Sequence, residues 1–75
     1  MIAEVIDTLN ELKDEQGINK NVKLYIDKII AHLQSDPELG KDKALEEIED
    51  LVAANNIDPH IRSQIWNVVS MIESL

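Results

Sequence analysis

Ile18-Asn19-Lys20-Asn21-Val22-Lys23-Leu24-Tyr25-Ile26-Asp27-Lys28-Ile29-Ile30-Ala31-His32-Leu33 is the stretch that decides the fold. Val22, Ile26, Ile29, Ile30 and Leu33 recur at steps of three and four, so they lie on one stripe of a helix. Asn19 has the side chain of an N-cap, with Ile18 before it to close the start. Asp36-Pro37 stops the helix, because a residue before proline resists the α region. The many β-branched residues favour strands by propensity, but no stretch alternates apolar with polar residues long enough to be one. The spacing therefore predicts a helix.

The design occurs twice. Residues 57–72 align with 18–33 without a gap at an offset of 39. Val22, Ile26, Ile29, Ile30 and Leu33 fall on Ile61, Ile65, Val68, Val69 and Ile72, and Asn19 falls on Asp58, an N-cap followed by Pro59. The same offset carries Val5, Ile6, Leu9 and Leu12 onto Ala44, Leu45, Ile48 and Leu51. Strict identities are Leu12/Leu51, Ile18/Ile57 and Ile26/Ile65. A period near 40 is that of a HEAT-type unit, although any two amphipathic hairpins of equal length would align similarly. Gly17 is a natural terminator for the first helix, and Asn55-Asn56 ends the third. The third helix could start early, on a capping box at Ser35–Glu38, but Gly40 reads as part of a turn and favours a start near residue 40. The expectation is a single all-α domain over 1–75. It is a compact four-helix bundle made of two antiparallel helical hairpins, 1–35 and 36–75. Its core is expected to hold Ile6, Leu9, Ile26, Ile30, Leu45, Ile48, Ile65 and Val69.

With 75 residues, the chain has room for one thin core. It has 15 acidic and 7 basic side chains, a formal net charge of −8. That charge repels phosphate backbones and anionic lipid, so neither nucleic acid nor membrane is an expected partner. No apolar run, Ile29-Ile30-Ala31 included, comes near the length of a membrane span. Glu4 and Asp7 interrupt the N-terminal stretch, which is unlike a secretory leader. The chain has no cysteine, which removes disulfides, thiolate zinc sites and thiol nucleophiles. Charge follows the repeat. Residues 1–17 hold five acids and one lysine, and 36–56 hold seven acids and two lysines. Residues 18–35 hold three lysines and one acid.

Arg62-Ser63-Gln64-Ile65-Trp66-Asn67-Val68-Val69-Ser70, with Met71-Ile72-Glu73 after it, resembles a signature of a small archaeal group, uncharacterised protein family 0147. Glu4-Val5-Ile6 and Asn21-Val22 also look like that family. The resemblance implies a short, all-helical cytoplasmic protein and no activity, since the family has none assigned.

Residues that could carry chemistry read more simply as surface. His32 and His60 have no partner at metal-ligand spacing. Glu46, Glu47, Glu49 and Asp50 are the densest carboxylate group, but they fall within a helix rather than on a calcium-type loop. Ser63, Ser70 and Ser74 lack a nucleophile elbow, and Gly17 and Gly40 stand alone rather than in a phosphate loop. No catalytic residue, metal ligand or cofactor is therefore expected. Function reads as a non-enzymatic structural or protein-interaction module. The alternatives are an acidic divalent-cation-binding protein and an accessory subunit of a larger enzyme. Leu24, Tyr25, Trp66 and Met71 lie off the main stripes and are the candidate interface. Trp66 reads either as core edge or as an interface anchor. The expected assembly is a homodimer through the second or fourth helix, or a complex with an unidentified protein, with Trp66 at or near the contact.

Overall fold

The computed structural model describes residues 2–36 and 38–75. They form four helices and no strand: α1 (Ile2–Lys13), α2 (Lys20–Ser35), α3 (Leu39–Ala54) and α4 (Pro59–Glu73). Consecutive helices pack side by side, and α4 returns to α1, while among the described residues the backbones of the diagonal pairs α1/α3 and α2/α4 do not approach closely. The result is a four-helix bundle of 30 × 20 × 17 Å.

Local signals place the helix ends. Gly17 has φ +89°, the left-handed geometry that lets the chain leave α1 without a Cβ clash. Asn19 Oδ1 accepts from the Val22 N–H at 2.8 Å, and Asp58 Oδ1 from the His60 N–H at 2.8 Å. Asp36 is extended (φ −151°, ψ 114°) and ends α2. Its carboxylate then accepts from the N–H groups of Glu38 (2.9 Å) and Leu39 (3.1 Å), which satisfies donors at the start of α3. At the far end of α3, Asn55 Nδ2 donates to the Leu51 carbonyl at 2.9 Å, and Asn55 Oδ1 accepts from Asn21 Nδ2 at 3.0 Å.

The start of α3 corrects one expectation. Gly40 is no turn residue; it lies in the first turn of the helix and is buried. A Cβ there would come within 1.9 Å of the His32 carbonyl oxygen on α2. Gly40, and Ala44 one turn later, let the backbones of α2 and α3 approach, and this pair packs more closely than any other. At the repeat-related contact, α1 against α4, Val5 replaces Ala44 and the helices pack less closely.

All four helices contribute to one core. Leu9, Ile26, Ile48 and Ile65 lie in it as expected, each at most 2% exposed. Ile6, Ile30, Leu45 and Val69 do not: all four are only partly buried, and Ile30, Leu45 and Val69 pack against its edge. The reason is rotational. In Ile29-Ile30 and Val68-Val69 the first residue is buried, and the second lies 100° further round. Val5, Leu12, Leu33 and Ile72 take the central places instead. Burial repeats at the 39-residue offset: 5/44, 9/48, 12/51, 22/61, 26/65, 29/68 and 33/72 are buried in both members, 6/45 and 30/69 partly buried in both. A void of about 10 Å³ in the core is lined by Leu9, Leu12, Ile26 and Ile29 and by their repeat partners Ile48, Leu51, Ile65 and Val68. Both hairpins thus meet in one jointly built centre, too small for more than a single water.

Candidate protein-binding surface

Trp66 follows the buried Ile65 by one residue, so the α4 backbone turns it toward the α3 side of the bundle. It is 49% exposed. With Leu45, Ile48 and Val69 it lines a groove of about 220 Å³ between α3 and α4. The charged side chains lining that groove are Glu49 and Glu73.

The repeat supplies an internal comparison. The positions in the first hairpin that match Val52 and Trp66 are Lys13 and Asp27. Lys13 Nζ and Asp27 Oδ1 form an ion pair at 2.6 Å that ties α1 to α2. It joins the one lysine of α1 to the one acid of α2, each the minority charge of its helix. Glu49 and Glu73 match Asn10 and Gln34, which are neutral. One hairpin thus links its helices through a charged pair and has neutral amides at 10 and 34, whereas the other has apolar residues and carboxylates at the matching positions.

The four candidate interface residues do not share a surface. Leu24, 53% exposed, and Tyr25 line a shallow groove along α2, where Lys28 Nζ sits 5.5 Å from the Tyr25 ring centre. Tyr25 and Met71 are partly buried against the core. Met71 borders the α1/α4 seam with Glu4 and Val5. Trp66 belongs to the α3/α4 face. Leu39, 59% exposed at the start of α3, is a further apolar residue that the stripe analysis passed over.

The other polar candidates separate similarly. Glu47 turns toward α2, with Oε1 3.7 Å from His32 Nε2, a contact that becomes an ion pair when the imidazole is protonated. Glu46, Glu49 and Asp50 are exposed. Among the described residues no group of three histidines, aspartates or glutamates is placed to hold a metal ion. His60 is exposed, and its Nε2 lies 3.5 Å from Gln64 Nε2. Gln64 Nε2 also donates to Glu15 at 3.2 Å, and Gln64 Oε1 is buried without a protein donor, beside the α1/α4 groove bordered by Thr8, Glu11 and Asn67. Ser74 Oγ donates to the Ser70 carbonyl at 2.9 Å at the end of α4. Lys41 Nζ reaches the carbonyls of Glu73 (3.5 Å) and Leu75 (3.4 Å) at the same end, where the helix dipole favours a cation. The carboxyl of Asp36 is held below its ordinary value, chiefly by the Glu38 N–H and then by the Leu39 N–H.

Small size, four antiparallel helices and a single shared core define an all-α bundle protein. The chain belongs to the Uncharacterised protein family (UPF0147), whose family model matches residues 1–75. Its relatives are archaeal. A UPF0147 protein of Archaeoglobus fulgidus is 28% identical over 99% of this chain and 87% of the relative. One of Sulfurisphaera tokodaii is 27% identical over 99% and 86%, and one of Saccharolobus solfataricus is 26% identical over the same shares. No solved structure matches the chain significantly. Among the described residues no helix is long and apolar enough to cross a membrane.

Proposed function

We propose that this protein is a non-enzymatic protein-interaction module of the cytoplasm, and that its partner seats on the α3/α4 face at Trp66. The observation that carries this reading is a half-exposed tryptophan over an apolar groove, at a position where the sister hairpin has an ion-paired aspartate. Large aromatic side chains left at a surface are the commonest energetic anchors of protein interfaces. The accessory-subunit reading is one form of this proposal, in which the partner is an enzyme.

A homodimer is the second reading. It is favoured by the small core and by Leu24, a large apolar side chain exposed on the one net-basic helix. It is opposed by the charge of −8 on each copy and by Glu49 and Glu73, which would face themselves across a two-fold axis at Trp66. Site-specific photocrosslinking in the native cell, with the photoreactive residue placed in turn at positions 24, 66 and 71, tests the proposal. Adducts to another protein from position 66 are expected. Adducts from 24 or 71 alone would move the interface, and adducts to the chain itself from 66 would favour the homodimer.

A further inference from the structure

We infer that the Trp66 groove takes a cationic amphipathic segment of a partner protein, with an apolar side chain against Trp66 and lysine or arginine side chains against Glu49 and Glu73. This rests on the interaction reading above and adds the chemistry of what binds.

Two hairpins are built on one plan, with Ile6 and Ile30 of the first partly buried at the positions of Leu45 and Val69 of the second, which line the groove. If the groove were only a structural seam, residues like those of the first hairpin would serve. Instead three differences fall together. Lys13 becomes Val52 and Asp27 becomes Trp66, which exchanges a self-satisfied ion pair for a partly buried valine and a half-exposed tryptophan. Asn10 becomes Glu49 and Gln34 becomes Glu73, which adds two carboxylates to the lining. An apolar floor flanked by carboxylates is complementary to an apolar residue flanked by cations. Among the described residues, neither Glu49 nor Glu73 is in an ion pair. Lys41 donates to the carbonyls of Glu73 and Leu75 at one end, and Arg62 lies one helical turn before Trp66. A second copy fits less well. The chain's own net-basic helix is α2, and docking its Leu24 into this groove pairs two different surfaces, which is not the self-matched patch of the common two-fold dimer.

Trp66 is the only tryptophan, so its emission and its indole N–H report on this site alone. The test titrates the whole protein with two synthetic helical peptides of about 14 residues, one of leucine and lysine, the other of leucine and glutamate. The leucine–lysine peptide is expected to shift Trp66 emission to shorter wavelength and to move the amide signals of Leu45, Glu49 and Val69. The leucine–glutamate peptide is expected to do neither. The double variant Glu49→Gln/Glu73→Gln should raise Kd by about fivefold, the loss that two exposed charge pairs give. Asp7→Asn/Asp14→Asn removes the same charge from α1 and the turn after it and should change it less than about twofold. Equal weakening by the two double variants, or shifts spread over α1 instead of the groove, would reduce the effect to net charge and overturn the inference. Binding of the leucine–glutamate peptide in the groove would overturn the cationic chemistry while leaving an interaction surface at Trp66. Absence of any response at Trp66 would also overturn it, and the crosslinking from position 66 judges the interaction reading separately.

Discussion

Gly40→Ala separates what a helix prefers from what this bundle permits. Alanine is the better helix former by about 1 kcal/mol, and Gly40 lies within α3, so local propensity alone predicts a more stable protein. The tertiary structure predicts the opposite. The new Cβ would sit 1.9 Å from the His32 oxygen and 2.9 Å from its carbonyl carbon, against an ordinary contact of 3.4 Å or more. The obstacle is backbone, so no side chain can rotate away. Relief needs α3 to move by about 1.5 Å, and a gap of about 1 Å already forfeits up to half of a contact's attraction. Ala44, fully buried one turn along the same seam, would lose part of its packing with it. Overpacking of this kind costs about 1–3 kcal/mol, and an obstacle that cannot rotate belongs at or above the upper end. After the propensity gain, the net loss is about 2 kcal/mol. That is a substantial share of the about 4–11 kcal/mol expected of a chain this size, and it lowers Tm by about 8–16 °C. Urea and thermal unfolding followed by circular dichroism measure it. A variant as stable as the parent, or more so, would refute the close α2/α3 approach and leave propensity as the ruling effect.

Truncation beside the central void should be severe: Ile26→Ala and Ile65→Ala are each expected to cost about 2–5 kcal/mol in urea unfolding, and their repeat-related places predict similar losses. Trp66→Ala should cost less, about 1 kcal/mol, because half of the side chain already meets solvent, and a loss on the scale of the core variants would assign Trp66 to the core instead. Asp36 should titrate below its ordinary pKa of 3.8 in a carboxyl-carbon NMR titration. Since its folded pKa is the lower one, its contribution is present above the unfolded value and fades as pH falls through the folded value. Asp36→Asn keeps an acceptor for the Glu38 and Leu39 N–H groups, so it should remove that part of the acid dependence while leaving α3 capped.

The sequence by itself determined the four helices, their order and most of their ends. Each rests on interactions within a few residues: apolar steps of three and four, Asn19 and Asp58 as caps, Gly17 at positive φ, Asp36 before a proline. It also determined the repeat, because the 39-residue offset carries the burial pattern with it. Only the tertiary structure decided which side of each stripe faces the centre. Ile29 and Ile30 are equally apolar, and 100° of rotation separates core from edge, a choice made by the neighbouring helices. The small-residue spacing Gly40–Ala44 was a signal for close approach, but a lone glycine before a helix looks the same as a turn until the α2 backbone is seen against it. Trp66 was legible as an off-stripe aromatic, but the seam it borders was not. Leu24, Tyr25 and Met71 are also off-stripe, yet they border other seams. A helix position fixes the direction of a side chain, whereas a groove is made by two helices meeting, and the one at Trp66 exists only because α3 sets Leu45 and Glu49 beside it.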